Sequence, residues 1–131
     1  MSKKKKNILL VDDDIDLLEQ MKFHFENDGF SVTVARNEKE AVNAIDTHLP
    51  DLAVLDLMME NPDSGFILSY KIKKADNSIP VIIVTSASSE TGMMFDVQTK
   101  EERSWIKADA ILHKNIRYEQ LSKEVNRLLK D

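Results

Sequence analysis

The chain has 131 residues, of which 42% are hydrophobic and 31% charged, and its 18 Lys and Arg against 23 Asp and Glu leave a formal charge of −5. This size and mixture suit one ordinary globular domain, the acidic balance argues against nucleic acid as the main partner, and the absence of Cys excludes disulfides, zinc fingers and thiol nucleophiles. No apolar stretch approaches the roughly 20 residues of a membrane span, and Ile8-Leu9-Leu10-Val11 is too short for a signal-peptide core, so the expected location is the cytoplasm with no membrane partner.

Residues 1–6, with Lys at 3 to 6, form a basic tail of the kind that is ordinarily solvated. Ile8-Leu9-Leu10-Val11 then reads as a buried strand running into Asp12-Asp13-Asp14. Leu18, Met21 and Phe25 recur at helical spacing, and Gly29 stands where a helix C-cap belongs. Residues 31–35 alternate weakly and read as a second strand. Asn37 with Glu40 resembles a capping box, followed by Ala41, Ala44 and Ile45 on one helix face. After Pro50, Leu52-Ala53-Val54-Leu55 forms a third strand running into Asp56. Residues 66–75 read as a helix with Ile67, Leu68 and Ile72 turned inward. After Pro80, Val81-Ile82-Ile83-Val84 runs into Thr85-Ser86, and Ala110-Ile111-Leu112 leads through His113 to Lys114. Between these last two strands a helix is expected over 88–98 and an irregular insertion over 99–108. Leu121, Val125, Leu128 and Leu129 mark a closing helix.

Short apolar runs alternating with helical segments are the pattern of βα units and a parallel sheet. The expected fold is α/β, a single domain over 1–131 with a doubly wound five-stranded parallel sheet and about five helices in three α/β/α layers. Open sheets of this kind place their ligands at the carboxyl ends of the strands. Asp12, Asp13, Asp56, Thr85 and Lys114 all stand at such ends. Mg²⁺ prefers oxygen ligands, keeps several waters and is usually held by one or two carboxylates with phosphate oxygens. Asp13 and Asp56 can supply those carboxylates, with Asp12 holding a coordinated water. Carboxylates gathered in one place repel one another, and a divalent cation relieves the repulsion. Asp56 can then attack phosphorus, while Thr85 and Lys114 supply the hydroxyl donor and the cation that the transferring group's equatorial oxygens need. Asp14 is read differently, as the cap of the first helix.

With these residues in place the chain resembles the response-regulator receiver domain of two-component signalling, whose fold is chemotaxis-regulator-like. The stretches ILLVDDD, LAVLDLMM, PVIIVTSAS and ADAILHK carry the likeness, which extends over about residues 7–130. The resemblance implies strand order 2-1-3-4-5. It makes Asp56 the phosphoacceptor, Asp12, Asp13 and Asp56 the Mg²⁺ carboxylates with the carbonyl of Met58 completing the set, Thr85 the switch hydroxyl and Lys114 the partner of the phosphoryl group. The implied donor is a phosphohistidine on a sensor histidine kinase or phosphotransfer protein. The chain departs from the family pattern at Glu60 and Asn115, where proline is usual, at Ile111, where an aromatic is usual, and in the long segment before the last strand.

Phosphorylation would add about −1.5 to −2 charges at Asp56, drawing Thr85 and Lys114 inward and remodelling a face around residues 88–118 for a downstream protein. Met93, Met94, Phe95 and Trp105 lie in that stretch. The sequence given holds no output domain after its last helix, so the output expected is binding of a separate protein unless the chain is part of a longer one. Met58 and Ala87 cannot orient a hydrolytic water, which predicts slow autodephosphorylation.

Three other readings compete. A pseudo-receiver would bind proteins without phosphorylation. A phosphatase of the haloacid-dehalogenase kind would need a further acidic pair after Lys114, where Glu119, Glu124 and Asp131 are scattered; the expectation is therefore that the chain is not a turnover enzyme. A nucleotide-cofactor domain would need a glycine-rich loop after the first strand. His24, His48 and His113 fall on separate elements, without metal-ligand spacing.

Overall fold

A computed structural model describes residues 5–57, 59, 64–85, 108–113 and 118–129. Among these are five parallel strands and four helices, in the order β1 (Asn7–Val11), α1 (Ile15–Asn27), β2 (Ser31–Ala35), α2 (Glu38–Thr47), β3 (Leu52–Asp56), α3 (Ser64–Ala75), β4 (Val81–Thr85), β5 (Ala110–His113) and α4 (Tyr118–Leu129). The strands lie in the order β2-β1-β3-β4-β5. This is the doubly wound arrangement expected from the alternation of apolar runs and helical stripes. The helix expected over 88–98, and residues 99–107 of the expected insertion, lie outside the described residues.

Sequence pattern explains which strands are central. A parallel strand covered on both faces has no solvent side and so reads as an unbroken apolar run. β3 and β4 are buried at every position, and β1 at all but its first. β2 and β5 are the sheet edges, only partly covered, and β2 accordingly shows the weaker alternation. The helices divide between the two faces. Leu9, Val11, Ala53, Leu55 and Ile83 pack with Ala41 and Ile45 of α2 and Leu68 and Ile72 of α3. Ile8, Leu10, Val54 and Ile82 pack with Leu18, Met21 and Phe25 of α1 and Leu121 and Val125 of α4. Alternate residues of each strand thus feed opposite layers.

Local signals set the helix ends. Asp14 accepts from Leu17 N–H at 3.1 Å and caps α1. The far end closes through Gly29, whose φ of +98° permits its N–H to reach Glu26 O at 3.1 Å and Phe30 N–H to reach Phe25 O at 3.0 Å. At α2, Asn37 Oδ1 accepts from Glu40 N–H at 2.8 Å. The return half of the expected capping box is displaced by one residue: Glu40 Oε1 accepts from Arg36 N–H at 2.8 Å, and Arg36 Nη2 lies 3.0 Å from Glu40 Oε2. Ile67 corrects the sequence expectation. It is 47% exposed, because the buried stripe of α3 runs through Gly65, Leu68, Ser69 and Ile72 and leaves the position before Leu68 turned outward. At the opposite edge of the sheet Asp109 Oδ2 accepts from Val81 N–H and from Lys73 Nζ, both at 2.8 Å, fastening the end of α3 to the starts of β4 and β5.

Candidate metal and phosphoryl site

Register brings the chemical residues together. Val11 pairs with Leu55, which sets Asp12, the next residue, beside Asp56; Asp56 pairs with Val84, one residue before Thr85. The backbone continues the ladder past the strand ends, with Asp12 N–H donating to Ala35 O at 3.1 Å and Leu57 N–H to Val84 O at 2.8 Å. Asp12, Asp56 and Thr85 are 0%, 3% and 5% exposed. Asp13 is exposed and faces solvent at the mouth of the group. Thr85 pairs with His113 of β5.

Carboxylate oxygens of Asp12, Asp13 and Asp56 all lie within 4.8 Å of one another. Opposite corners of an octahedron with bonds of about 2.0–2.1 Å stand about 4 Å apart, so the three side chains fit one small hard cation with a modest closing movement. The chemistry of the donors agrees: all are carboxylate oxygens, with no nitrogen or sulfur that would favour zinc or copper. Two buried carboxylates beside a third are expensive to gather without a counter-charge. Asp12 Oδ1 accepts from Asp14 N–H at 2.9 Å, which orients it across the start of α1.

The sequence-derived set divides as follows. Asp12, Asp13 and Asp56 converge, and Thr85 stands on the strand next to Asp56. Asp14 takes the capping role expected of it. Met58 and Lys114 lie outside the described residues, as do Glu60, Ala87, Met93, Met94, Phe95, Trp105 and Asn115. Met59 packs against the core beside α2 and α3. The histidines are spread as expected: His24 stacks on Tyr118 at a centroid distance of 4.4 Å, His48 caps α2, and His113 ends β5.

Three residues around the start of α3, the helix that follows Asp56, were missed by sequence reasoning. Gly65 N–H donates to Leu57 O at 2.8 Å, and Ser64, fully buried, donates through its hydroxyl to Glu38 Oε1 at 2.5 Å. Ser-Gly at a helix start is a local signal that a turn closes there; Glu38, 26 residues away in sequence, offers none.

Comparison with known proteins agrees with this architecture. The family model described as response regulator receiver domain matches residues 8–126. The receiver domain of the Francisella response regulator 1452 superposes with a TM-score of 0.77 at 31% identity, covering 96% of this chain and 98% of that one. The transcriptional regulatory protein GlrR of Escherichia coli is 36% identical over 89 residues, 68% of this chain but 20% of that protein. An uncharacterized 14.6 kDa protein of Leptolyngbya boryana is 37% identical over 86 residues, 64% of this chain and 65% of its own length. The matched segment is thus a fifth of the Escherichia coli regulator and just under two thirds of the Leptolyngbya protein. No helix among the described residues is long and apolar enough to cross a membrane.

Proposed function

The chain belongs to the response regulator receiver domain family, and from that premise we propose that Asp56 accepts a phosphoryl group from a phosphohistidine of a sensor histidine kinase or phosphotransfer protein. The observation that carries this reading is the convergence of the Asp12, Asp13 and Asp56 carboxylates within 4.8 Å at the carboxyl edge of the sheet. It also weighs against a pseudo-receiver, which has no need of such a costly group.

In this reading Asp13 and Asp56 would ligate Mg²⁺ and Asp12 would act mainly through a coordinated water, with the Met58 carbonyl as a further ligand. The bound ion would screen the carboxylates from one another and draw phosphoryl oxygens toward them. A carboxylate oxygen of Asp56 attacks phosphorus, the P–N bond of the donor breaks, and its electron pair stays on the imidazole. Thr85 donates its hydroxyl to an equatorial oxygen, and the Lys114 ammonium balances another. The product is an acyl phosphate on Asp56. The chain is then a substrate of its own catalysis and not a turnover enzyme.

The output we propose is a protein partner bound through the face around residues 88–118 after Thr85 and Lys114 move toward the new charge. Transcriptional control belongs to relatives of which this chain matches only part; the acidic balance of −5 favours a protein over nucleic acid for this segment. Nothing in this scheme calls for a membrane, and the cytoplasm is the compartment we assign.

Intact mass after incubation with Mg²⁺ and acetyl phosphate tests the reading. One added phosphoryl group is expected, absent in Asp56→Asn and in the presence of a chelator. A folded protein that gains no mass overturns it. The modified protein should keep its phosphoryl group for minutes or longer after donor removal, and loss within seconds would refute the assignment of Met58 and Ala87 as poor water-orienting positions.

A further inference from the structure

The scheme above leaves unused a set of contacts immediately behind Asp56. Gly65 donates its N–H to Leu57 O at 2.8 Å and sits so close to the main chain that a Cβ there would stand 2.7 Å from Leu57 Cα and 2.9 Å from Asp56 O. Ser64, 0% exposed, bonds Glu38 Oε1 at 2.5 Å. The first turn of α3 is therefore wedged against the peptide that follows Asp56, and the first turn of α2 holds the wedge in place. A hydroxyl with no exposed surface needs a partner, and a carboxylate acceptor makes a shorter, stronger bond than a neutral one. Capping of α2 does not require Glu38, because Asn37 and Glu40 already perform it. What the Glu38–Ser64 bond adds is a fixed distance between the starts of α2 and α3.

We infer that Glu38 is a positioning residue for phosphoryl transfer, acting through Ser64 and Gly65 to hold the main chain that orients the Asp56 carboxylate. The inference rests on the phosphoacceptor reading. One carboxylate is there both nucleophile and metal ligand, so a shift of about half an ångström disturbs metal affinity and attack together. With Mg²⁺ saturating for every variant, binding of the small phosphodonor, which depends on the ion and on Thr85 and Lys114, is affected less.

The test uses the full chain with Glu38→Ala, Ser64→Ala, the double variant and Glu38→Gln. Mg²⁺ affinity is read by titration calorimetry without any phosphodonor, and the phosphorylation rate by intact mass across acetyl phosphate concentrations. Each alanine variant should weaken Mg²⁺ binding and lower the saturated rate about tenfold, the low end of effects from groups that support metal ligands, with little change in KM for acetyl phosphate. The double variant should be no worse than either single one, because each removes the same bond. Glu38→Gln keeps an accepting amide oxygen and should recover most of the rate. Single variants within about twofold of wild type, or losses that add in the double variant, overturn the inference. Should Glu38→Ala fail to fold, Ser64→Ala, which deletes one oxygen, decides by the same thresholds. Wild type that gains no mass overturns the phosphoacceptor reading and this inference with it; phosphorylated wild type beside unchanged variants overturns the assignment of Glu38 alone.

Discussion

Two glycines of this chain do opposite things, and single substitutions separate them. At Gly65 the obstacle is steric: a Cβ would meet backbone atoms of Asp56 and Leu57 at 2.7 to 2.9 Å, and backbone cannot swing aside as a flexible side chain can. Gly65→Ala should destabilise by about 1–3 kcal/mol, the usual cost of overpacking, and should also slow phosphorylation, because the displaced atoms adjoin the acceptor. At Gly29 nothing lies within 4 Å, but φ is +98°. Gly29→Ala should cost about 1–2 kcal/mol through backbone strain and leave the phosphorylation rate unchanged. Urea unfolding with the mass assay on both variants checks the pair. Tyr118 makes a third residue-scale case. Burial first, then the hydrogen bond its hydroxyl gives Asp28 Oδ2 at 2.6 Å and the charge of that carboxylate, raise its phenol well above the usual range. The fold thus favours the neutral phenol. Its stabilising contribution is complete below the ordinary tyrosine value of about 10 and is lost as pH rises from there through the raised folded value. Absorbance at 295 nm should show the Tyr118 ionisation coinciding with unfolding, a step that vanishes in Tyr118→Phe.

The start of α1 shows one acidic triplet divided among three roles at the scale of an element. Asp12 continues β1 by its bond to Ala35 O, Asp14 turns the chain into the helix by accepting from Leu17 N–H, and Asp13 between them is left to face the site mouth. Strand, outward residue and cap follow in sequence because the strand must end before the helix can begin. Asp14→Ala should therefore cost about 1 kcal/mol of stability, the usual value of a helix cap, while the phosphorylated fraction at saturating Mg²⁺ stays that of wild type. Asp13→Asn should do the reverse, leaving the cap intact and weakening Mg²⁺ binding. Thermal melts in a chelator, set beside calorimetric Mg²⁺ titrations, distinguish the two. Equal loss of Mg²⁺ affinity in both variants would show that the triplet acts as a unit and that the division is wrong.

Across the whole molecule, what could be read in the sequence was whatever recurs with a short period or stands at a strand end. β1, β3 and β4 were legible because their burial on both faces leaves unbroken apolar runs, and Asp12, Asp13, Asp56 and Thr85 because they interrupt those runs at the edge where a parallel sheet binds ligands. Ile67 was misplaced because three apolar residues near each other on a helix do not by themselves say which lies at the margin of the buried stripe. Glu38 was invisible because its partner is remote and its own surroundings in the sequence look like an ordinary acidic first turn. The same separation between strand ends and the rest predicts how the molecule answers to Mg²⁺. The two clusters of buried residues that cover the sheet are apolar, so the fold should persist without Mg²⁺. Carboxylates gathered at the sheet edge repel one another, and a bound cation relieves that repulsion. Mg²⁺ should therefore raise the unfolding free energy by about 2.7 kcal/mol at a hundredfold excess over its Kd, and chelation should return the protein to a folded, less stable state. Asp56→Asn removes one negative charge from the group, so in chelator it should melt higher than wild type, and it should gain less from Mg²⁺. Differential scanning calorimetry of both proteins, with and without the ion, gives all four values. Wild type more stable than Asp56→Asn in chelator would mean that the buried carboxylates are balanced from within the protein, and that the site does not wait for a cation.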